Sequence, residues 1–302
     1  MGRTVLDEIA ERTAVRVGQL KKKRDLACVR REAEWLGKRA GERFPFREAL
    51  AAPDLSFICE VKKASPSKGV IAEEFPYLAI AKEYEAAGAS AVSVLTEPYY
   101  FLGSDAYLEE IAEAVSIPLL RKDFTVDAYQ IYEARLIGAS AVLLIAALLK
   151  GEQMKEYLAI ARSLGLSALV EAHTEAEVET ALQSGADIIG VNNRNLHTFE
   201  VDIRTSVRLR KRVPDGILFV AESGIRTPED VAVLREQKAD AVLVGETFMK
   251  SADKKRQMEI LRGGGNHEKP VTAGKERTAA RAGGERMGGR CCDENQNMRA
   301  DA

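Results

Sequence analysis

The sequence predicts an α/β fold, a (βα)8 TIM barrel with extra N-terminal helices and a disordered C-terminal tail, and three observations predict it. A short phrase recurs as Gly88-Ala89-Ser90-Ala91-Val92, Gly138-Ala139-Ser140-Ala141-Val142, Gly185-Ala186-Asp187-Ile188-Ile189 and Lys238-Ala239-Asp240-Ala241-Val242, the mark of an internal repeat. Each copy closes a helical stretch, such as Ile80 to Ala87, and opens a β-rich run, as expected where Gly ends a helix and a short loop feeds a parallel strand. Further strand-like runs between the copies bring the total to about eight, separated by stretches long enough for crossover helices. A doubly wound sheet would instead carry an early Gly-x-Gly-x-x-Gly turn, and the sequence has none.

Residues 1–50 carry helical periodicity, with Val5, Ile9, Val17, Leu20 and Leu26 among the apolar positions, and form a helical extension packed on a barrel at 51–261. The run Lys21-Lys22-Lys23-Arg24 reads as a solvated helix face. The first strand, 57–63, places Glu60 and Lys62 on one face. Burying either charge unpaired costs several kcal/mol, so the pair reads as site chemistry. Lys63, of opposite parity, faces solvent or the helices, and Ser65 to Gly69 is expected to be a mobile loop. The second strand is 91–97; the third, 118–124, ends in Lys122 and Asp123, with Leu120, Lys122 and Phe124 on one face. The fourth, 141–147, begins the longest apolar run, Ala141 to Leu149, less than half the roughly 20 residues a membrane span needs. Strands at 167–173, 188–194, 218–224 and 241–247 follow. They carry Glu171 beside Leu169 in parity, Asn192 and Arg194 beside Gly190, then Glu222-Ser223-Gly224 and Gly245-Glu246-Thr247. Residues 262–302 contain no Leu, Ile, Phe, Tyr or Trp and are rich in Gly, so they cannot bury enough apolar surface to fold.

Composition narrows the function classes. A chain of 302 residues with 46% hydrophobic content builds a large core. Its net charge of -2 provides no field to recruit nucleic acid or an anionic membrane. Cys28, Cys59, Cys291 and Cys292 have neither zinc-site nor disulfide-framework spacing, and the three histidines form no metal motif. The expectation is a cytoplasmic monomer without metal or cofactor, since the N-terminus lacks the apolar core of a signal peptide.

Active sites of such barrels lie at the C-terminal strand ends. One strand-end Lys or Glu is as often solvated as functional, but here ionic residues end the first, third, fifth, sixth and seventh strands, which points to a shared site. The turns Glu222-Ser223-Gly224-Ile225 and Gly245-Glu246-Thr247 offer donors where barrels commonly hold phosphate, with Ser65 adding a hydroxyl. Glu246 would serve through its backbone N–H.

The segments Glu60-Val61-Lys62-Lys63-Ala64-Ser65-Pro66-Ser67-Lys68-Gly69, Phe101-Leu102-Gly103-Ser104, Leu120-Arg121-Lys122-Asp123-Phe124, Val170-Glu171-Ala172-His173, Gly190-Val191-Asn192-Asn193-Arg194-Asn195-Leu196 and Glu222-Ser223-Gly224-Ile225 closely resemble the indole-3-glycerol-phosphate synthase family. The likeness covers roughly residues 4–261; the tail resembles no family element, nor the phosphoribosylanthranilate isomerase domain sometimes fused to such enzymes. The resemblance implies that 1-(2-carboxyphenylamino)-1-deoxyribulose 5-phosphate closes its ring with loss of carbon dioxide and water, in a step of tryptophan biosynthesis. It implies Lys122 as general acid and Glu171 as general base. Lys62 would bind the substrate carboxylate and assist dehydration, while Glu60 and Asn192 orient lysines and substrate hydroxyls. Ser223, Arg194 and Glu222 complete the polar wall, Ser65, Gly224, Gly245 and Glu246 hold the phosphate, and Phe101, Phe124 and Pro66 contact the aromatic ring. No cofactor is implied, because the cationic ring intermediate itself accepts the electrons of decarboxylation. Competing readings are another sugar-phosphate barrel enzyme, such as phosphoribosylanthranilate isomerase or the tryptophan synthase α subunit, and a barrel that binds phosphate without catalysis.

Overall fold

The computed structural model describes residues 4–41, 43–195 and 198–264; Leu196, Cys291, Cys292 and the expected disorder from residue 265 onward lie outside the described residues. Helices α1 (Val5–Lys23), α2 (Leu26–Ala40) and α3 (Pro45–Leu50) come first. α1 opens with a capping box between Thr4 and Asp7 and buries Leu6, Ile9, Thr13 and Val17 along one stripe. At its end Lys22 and Lys23 are exposed, as the basic run suggests, while Lys21 reaches Asp127 at 2.6 Å.

The chain then runs β1 (Ser56–Val61), β2 (Ala64–Ser65), β3 (Gly69–Val70), α4 (Tyr77–Ala86), β4 (Ala91–Leu95) and α5 (Asp105–Ala114). Next come β5 (Leu119–Lys122), α6 (Ala128–Leu136), β6 (Ala141–Ile145), α7 (Gly151–Ser163), β7 (Ser167–Ala172) and α8 (Glu175–Gln183). It ends with β8 (Ile188–Asn192), α9 (Arg204–Arg210), β9 (Leu218–Glu222), α10 (Pro228–Glu236), β10 (Ala241–Val244), α11 (Glu246–Met249) and α12 (Lys254–Leu261). β1 and β4 to β10 form a closed parallel barrel in which β4 pairs back onto β1. Every barrel strand stops one to three residues before the end read from sequence. Ser223, one residue past β9, leaves the ladder with a left-handed φ of 66°.

The repeated phrase is a helix-ending device. Gly88, Gly138 and Gly185 take φ of 85°, 89° and 86°, and each following Ala donates its N–H to the carbonyl five residues earlier, at 3.0, 3.0 and 3.1 Å. This is the Schellman cap, which satisfies the carbonyls of a helix end around a left-handed residue. The fourth copy forces Lys238 into the same conformation, φ 57°, with Ala239 N–H on Leu234 O at 3.0 Å.

Strand parity sorts two apolar layers. Ile58, Leu120, Leu143, Leu169, Val220 and Leu243 fill the barrel, together with Phe46 and Leu50 of α3 and Leu6 and Ile9 of α1. Their neighbours Phe57, Cys59, Val92, Val170 and Val242 belong to the outer layer under the helices. The segment expected as a mobile loop, Ser65 to Gly69, is a short hairpin, with Ala64 opposite Val70 and Ser65 opposite Gly69. Its base is tied by Ile71 N–H on Lys63 O at 2.8 Å and Ala64 N–H on Phe101 O at 3.2 Å. The expected tail begins too early at 262. Arg262 caps α12, donates to Gly88 O at 2.8 Å and stacks over Phe57, 5.4 Å from the ring centre, so it belongs to the barrel. Among the described residues, no helix is long and apolar enough to cross a membrane.

Candidate active site

A cavity of about 340 Å³ opens at the C-terminal ends of the strands, a size suited to a small molecule. Glu60, Lys62, Ser65, Phe101, Lys122, Glu171, Asn192, Arg194, Glu222, Ser223, Gly224, Gly245 and Glu246 line it. Phe124, expected among them, does not: it packs behind Phe101, ring centres 6.2 Å apart. Two residues past the end of β5 the chain has turned, so strand parity no longer sets where Phe124 points. Lys63, as its parity suggests, is also off the wall.

Lysines and glutamates alternate around the mouth. Lys62 forms an ion pair with Glu60, and Gly245 leaves room for it, because a side chain there would collide with Glu60 Oε2 and crowd Lys62 Nζ. Lys122 Nζ lies 3.1 Å from Glu171 Oε2 and 4.0 Å from Glu222 Oε2, with the three side chains 15%, 4% and 2% exposed. Burial alone would pull the Lys122 ammonium down. The charges of Glu171, Glu222 and Glu60 outweigh it and hold the group above its ordinary range.

The two carboxyls split in opposite directions. Burial pushes both up, but Glu171 is nearer the ammonium and also accepts from Asn192 Nδ2 at 3.3 Å, so it is held below the usual carboxylate range. Glu222, more distant from Lys122 and facing the Glu171 charge, is held well above that range. Its Oε1 is buried with no hydrogen-bond partner. The pair therefore holds its proton on Glu222 and its charge on Glu171, an arrangement that provides one base beside one ammonium.

The other end of the cavity suits an anion. Ser223 and Gly224 are consecutive left-handed residues, φ 66° and 83°, and Thr247 ties their loop to the β10 loop by donating to Ile225 O at 2.8 Å. Lys68, Arg194, Arg226 and Lys250 line the same region. Lys250 engages the Glu246 carboxylate at 2.6 Å and keeps it below the usual range, so that side chain is occupied by a cation. Among the described residues no group of three His, Cys, Asp or Glu side chains is disposed to hold a metal ion.

Several contributors escape the sequence reading. Val5, Leu6 and Ile9 bring an apolar edge of α1 to the cavity beside Phe101. Glu97 accepts N–H groups of Tyr99, Tyr100 and Phe101 at 2.9, 2.6 and 3.0 Å, fixing the loop that presents Phe101. An acid and a proline before three aromatic residues in a loop are the only signal of it. Asp123, grouped with Lys122 at the strand end, instead accepts from Arg16 at 2.6 Å and Thr96 at 3.0 Å and anchors α1 over the barrel.

The family profile described as Indole-3-glycerol phosphate synthase matches residues 6–261. The indole-3-glycerol phosphate synthase of Ruminiclostridium cellulolyticum is 58% identical over 259 residues, 86% of this chain and 99% of that protein. That of Endomicrobium trichonymphae is 52% identical over 258 residues, 85% of this chain and 99% of that protein. Among solved structures, 3-hexulose-6-phosphate synthase from Salmonella typhimurium superposes with a TM-score of 0.56 at 14% identity, covering 68% of this chain and 96% of that one; at that identity the likeness concerns the fold.

Proposed function

The chain belongs to the indole-3-glycerol phosphate synthase family, and from that premise we propose how its cavity performs ring closure on 1-(2-carboxyphenylamino)-1-deoxyribulose 5-phosphate. The phosphate binds at Ser65 and the loops after β9 and β10, and the aromatic ring rests on Phe101 and the apolar edge of α1. Lys62 takes the substrate carboxylate, which places the ring carbon bearing it against the ribulose carbonyl.

As the carbon–carbon bond forms, Lys122 gives its proton to the carbonyl oxygen. Carbon dioxide then leaves, and its bonding electrons return to the cationic ring system. Lys62 gives a proton to the new hydroxyl, which departs as water while Glu171 removes the proton from the neighbouring carbon, with Glu60 and Asn192 orienting the polar groups around it and Ser223, Arg194 and Glu222 completing the wall. One substrate gives one indole-3-glycerol phosphate, one carbon dioxide and one water, the work of a carbon–carbon lyase of the carboxy-lyase class in the cytoplasm.

The observation that carries the reading is Lys122, held 3.1 Å from Glu171 at the cavity wall with Lys62 paired to Glu60 across it. A phosphoribosylanthranilate isomerase chemistry needs one acid and one base and leaves the second cavity lysine without a role. Mixing the purified protein with the substrate tests the proposal: indole fluorescence should grow with one carbon dioxide released per product, and no fluorescence at stoichiometric protein would refute it.

A further inference from the structure

His173 lies two residues after Glu171, off the cavity wall, with a side chain 12% exposed. Its Nδ1 is 3.2 Å from Glu177 Oε2, and the same oxygen accepts the His173 backbone N–H at 2.8 Å. The Thr174 hydroxyl donates to Glu177 Oε1 at 3.1 Å, so the carboxylate that holds the imidazole is itself held. The other ring nitrogen, Nε2, is buried without a hydrogen-bond partner and stands 3.5 Å from Glu171 Oε1, the oxygen that Asn192 reaches. The charged groups facing the ring are Glu171 of β7, Glu177 of α8 and Lys122 of β5.

We propose that His173 is a positioning residue for Glu171, weakening it as a base when the imidazole is charged and freeing Oε1 for the substrate's proton when it is neutral. The inference rests on the base role given to Glu171 above. An orphaned nitrogen aimed at a catalytic carboxylate, with its partner nitrogen locked on a second carboxylate, makes one proton on the ring an electrostatic control of that carboxylate. Burial pulls the imidazole down, but the Glu177 bond and the Glu171 charge outweigh it and raise it above its ordinary range. Turnover then falls on the acid side as His173 charges, well above the range in which Glu171 itself takes a proton.

The experiment has two arms. In the kinetic arm, wild-type kcat should fall about fivefold from pH 8 to pH 6, and His173→Asn should flatten that fall to below about twofold with KM little changed. Glu177→Gln should move the fall to lower pH, which keeps the idea testable if the Asn variant does not fold. In the second arm, imidazole NMR titration of the full chain should show His173 titrating at lower pH in Glu171→Gln than in wild type. An acid limb retained in His173→Asn, or a His173 titration unchanged by Glu171→Gln, overturns the inference. If the wild type makes no product at any pH, the function proposed above fails, and the titration arm alone decides the coupling.

Discussion

Lys122 is kept charged by its neighbours, since burial favours the neutral amine and the surrounding glutamates reverse that preference. In the reaction proposed above a raised ammonium still serves as an acid, because its proton goes to an oxygen that becomes an alkoxide in the transition state, a much stronger base than water. Glu171→Gln keeps the shape and the Asn192 contact but loses the base; kcat should fall by about 10² to 10⁴ with KM within a few-fold, measured by steady-state fluorescence. Glu222 carries the opposite sign. Its carboxyl is raised in the folded state, so its contribution is fully present below the unfolded carboxylate range and is lost as pH rises through the folded value. Glu222→Gln should therefore gain melting temperature over wild type as pH rises from 5 to 8, and an advantage that shrinks instead would contradict the protonation assigned here. Strand period made Glu60, Lys62, Lys122, Glu171 and Asn192 legible as one inward set, because parity follows from the backbone alone. Phe124 and Glu97 were illegible for the converse reason: beyond the strand end, a loop's turn decides direction, and no periodicity records it.

At the scale of elements, the repeat records where each helix must stop. Three copies use Gly for the left-handed position and the fourth uses the exposed Lys238, whose Cβ makes that conformation costly. Lys238→Gly should therefore raise thermal stability by about 1 kcal/mol, a gain of a few degrees by calorimetry, since the Ala239 N–H bond to Leu234 O and the Arg210 side chain's bond to the residue 238 carbonyl do not involve the Lys238 side chain. Strand existence and order were readable because apolar runs follow these caps; strand ends were not, because polar residues at a barrel rim look the same whether they pair or turn inward. The hairpin Ala64 to Val70 likewise hid in a stretch of small and polar residues that resembles an open loop. Its pairing depends on the anchor to Phe101 O from the β4 to α5 connection, which is distant in sequence.

For the whole molecule, closure of the barrel brings Glu60, Lys122, Glu171 and Glu246 to one mouth, while α1 and α3 supply apolar residues to the barrel interior. The number of repeat units made closure readable from the chain; the docking of α1 by Arg16 on Asp123 and of Arg262 on Phe57 was not, since both pairs join residues far apart in sequence with no shared pattern. The central claim is that this convergence turns an ammonium among carboxylates into the acid of a ring closure. Turnover of the ribulose 5-phosphate substrate by Lys122→Ala, compared with wild type at saturating substrate, tests it most directly. A fall in kcat of at least about 10²-fold in a variant that still folds and binds substrate is the predicted result; turnover equal to wild type would contradict it.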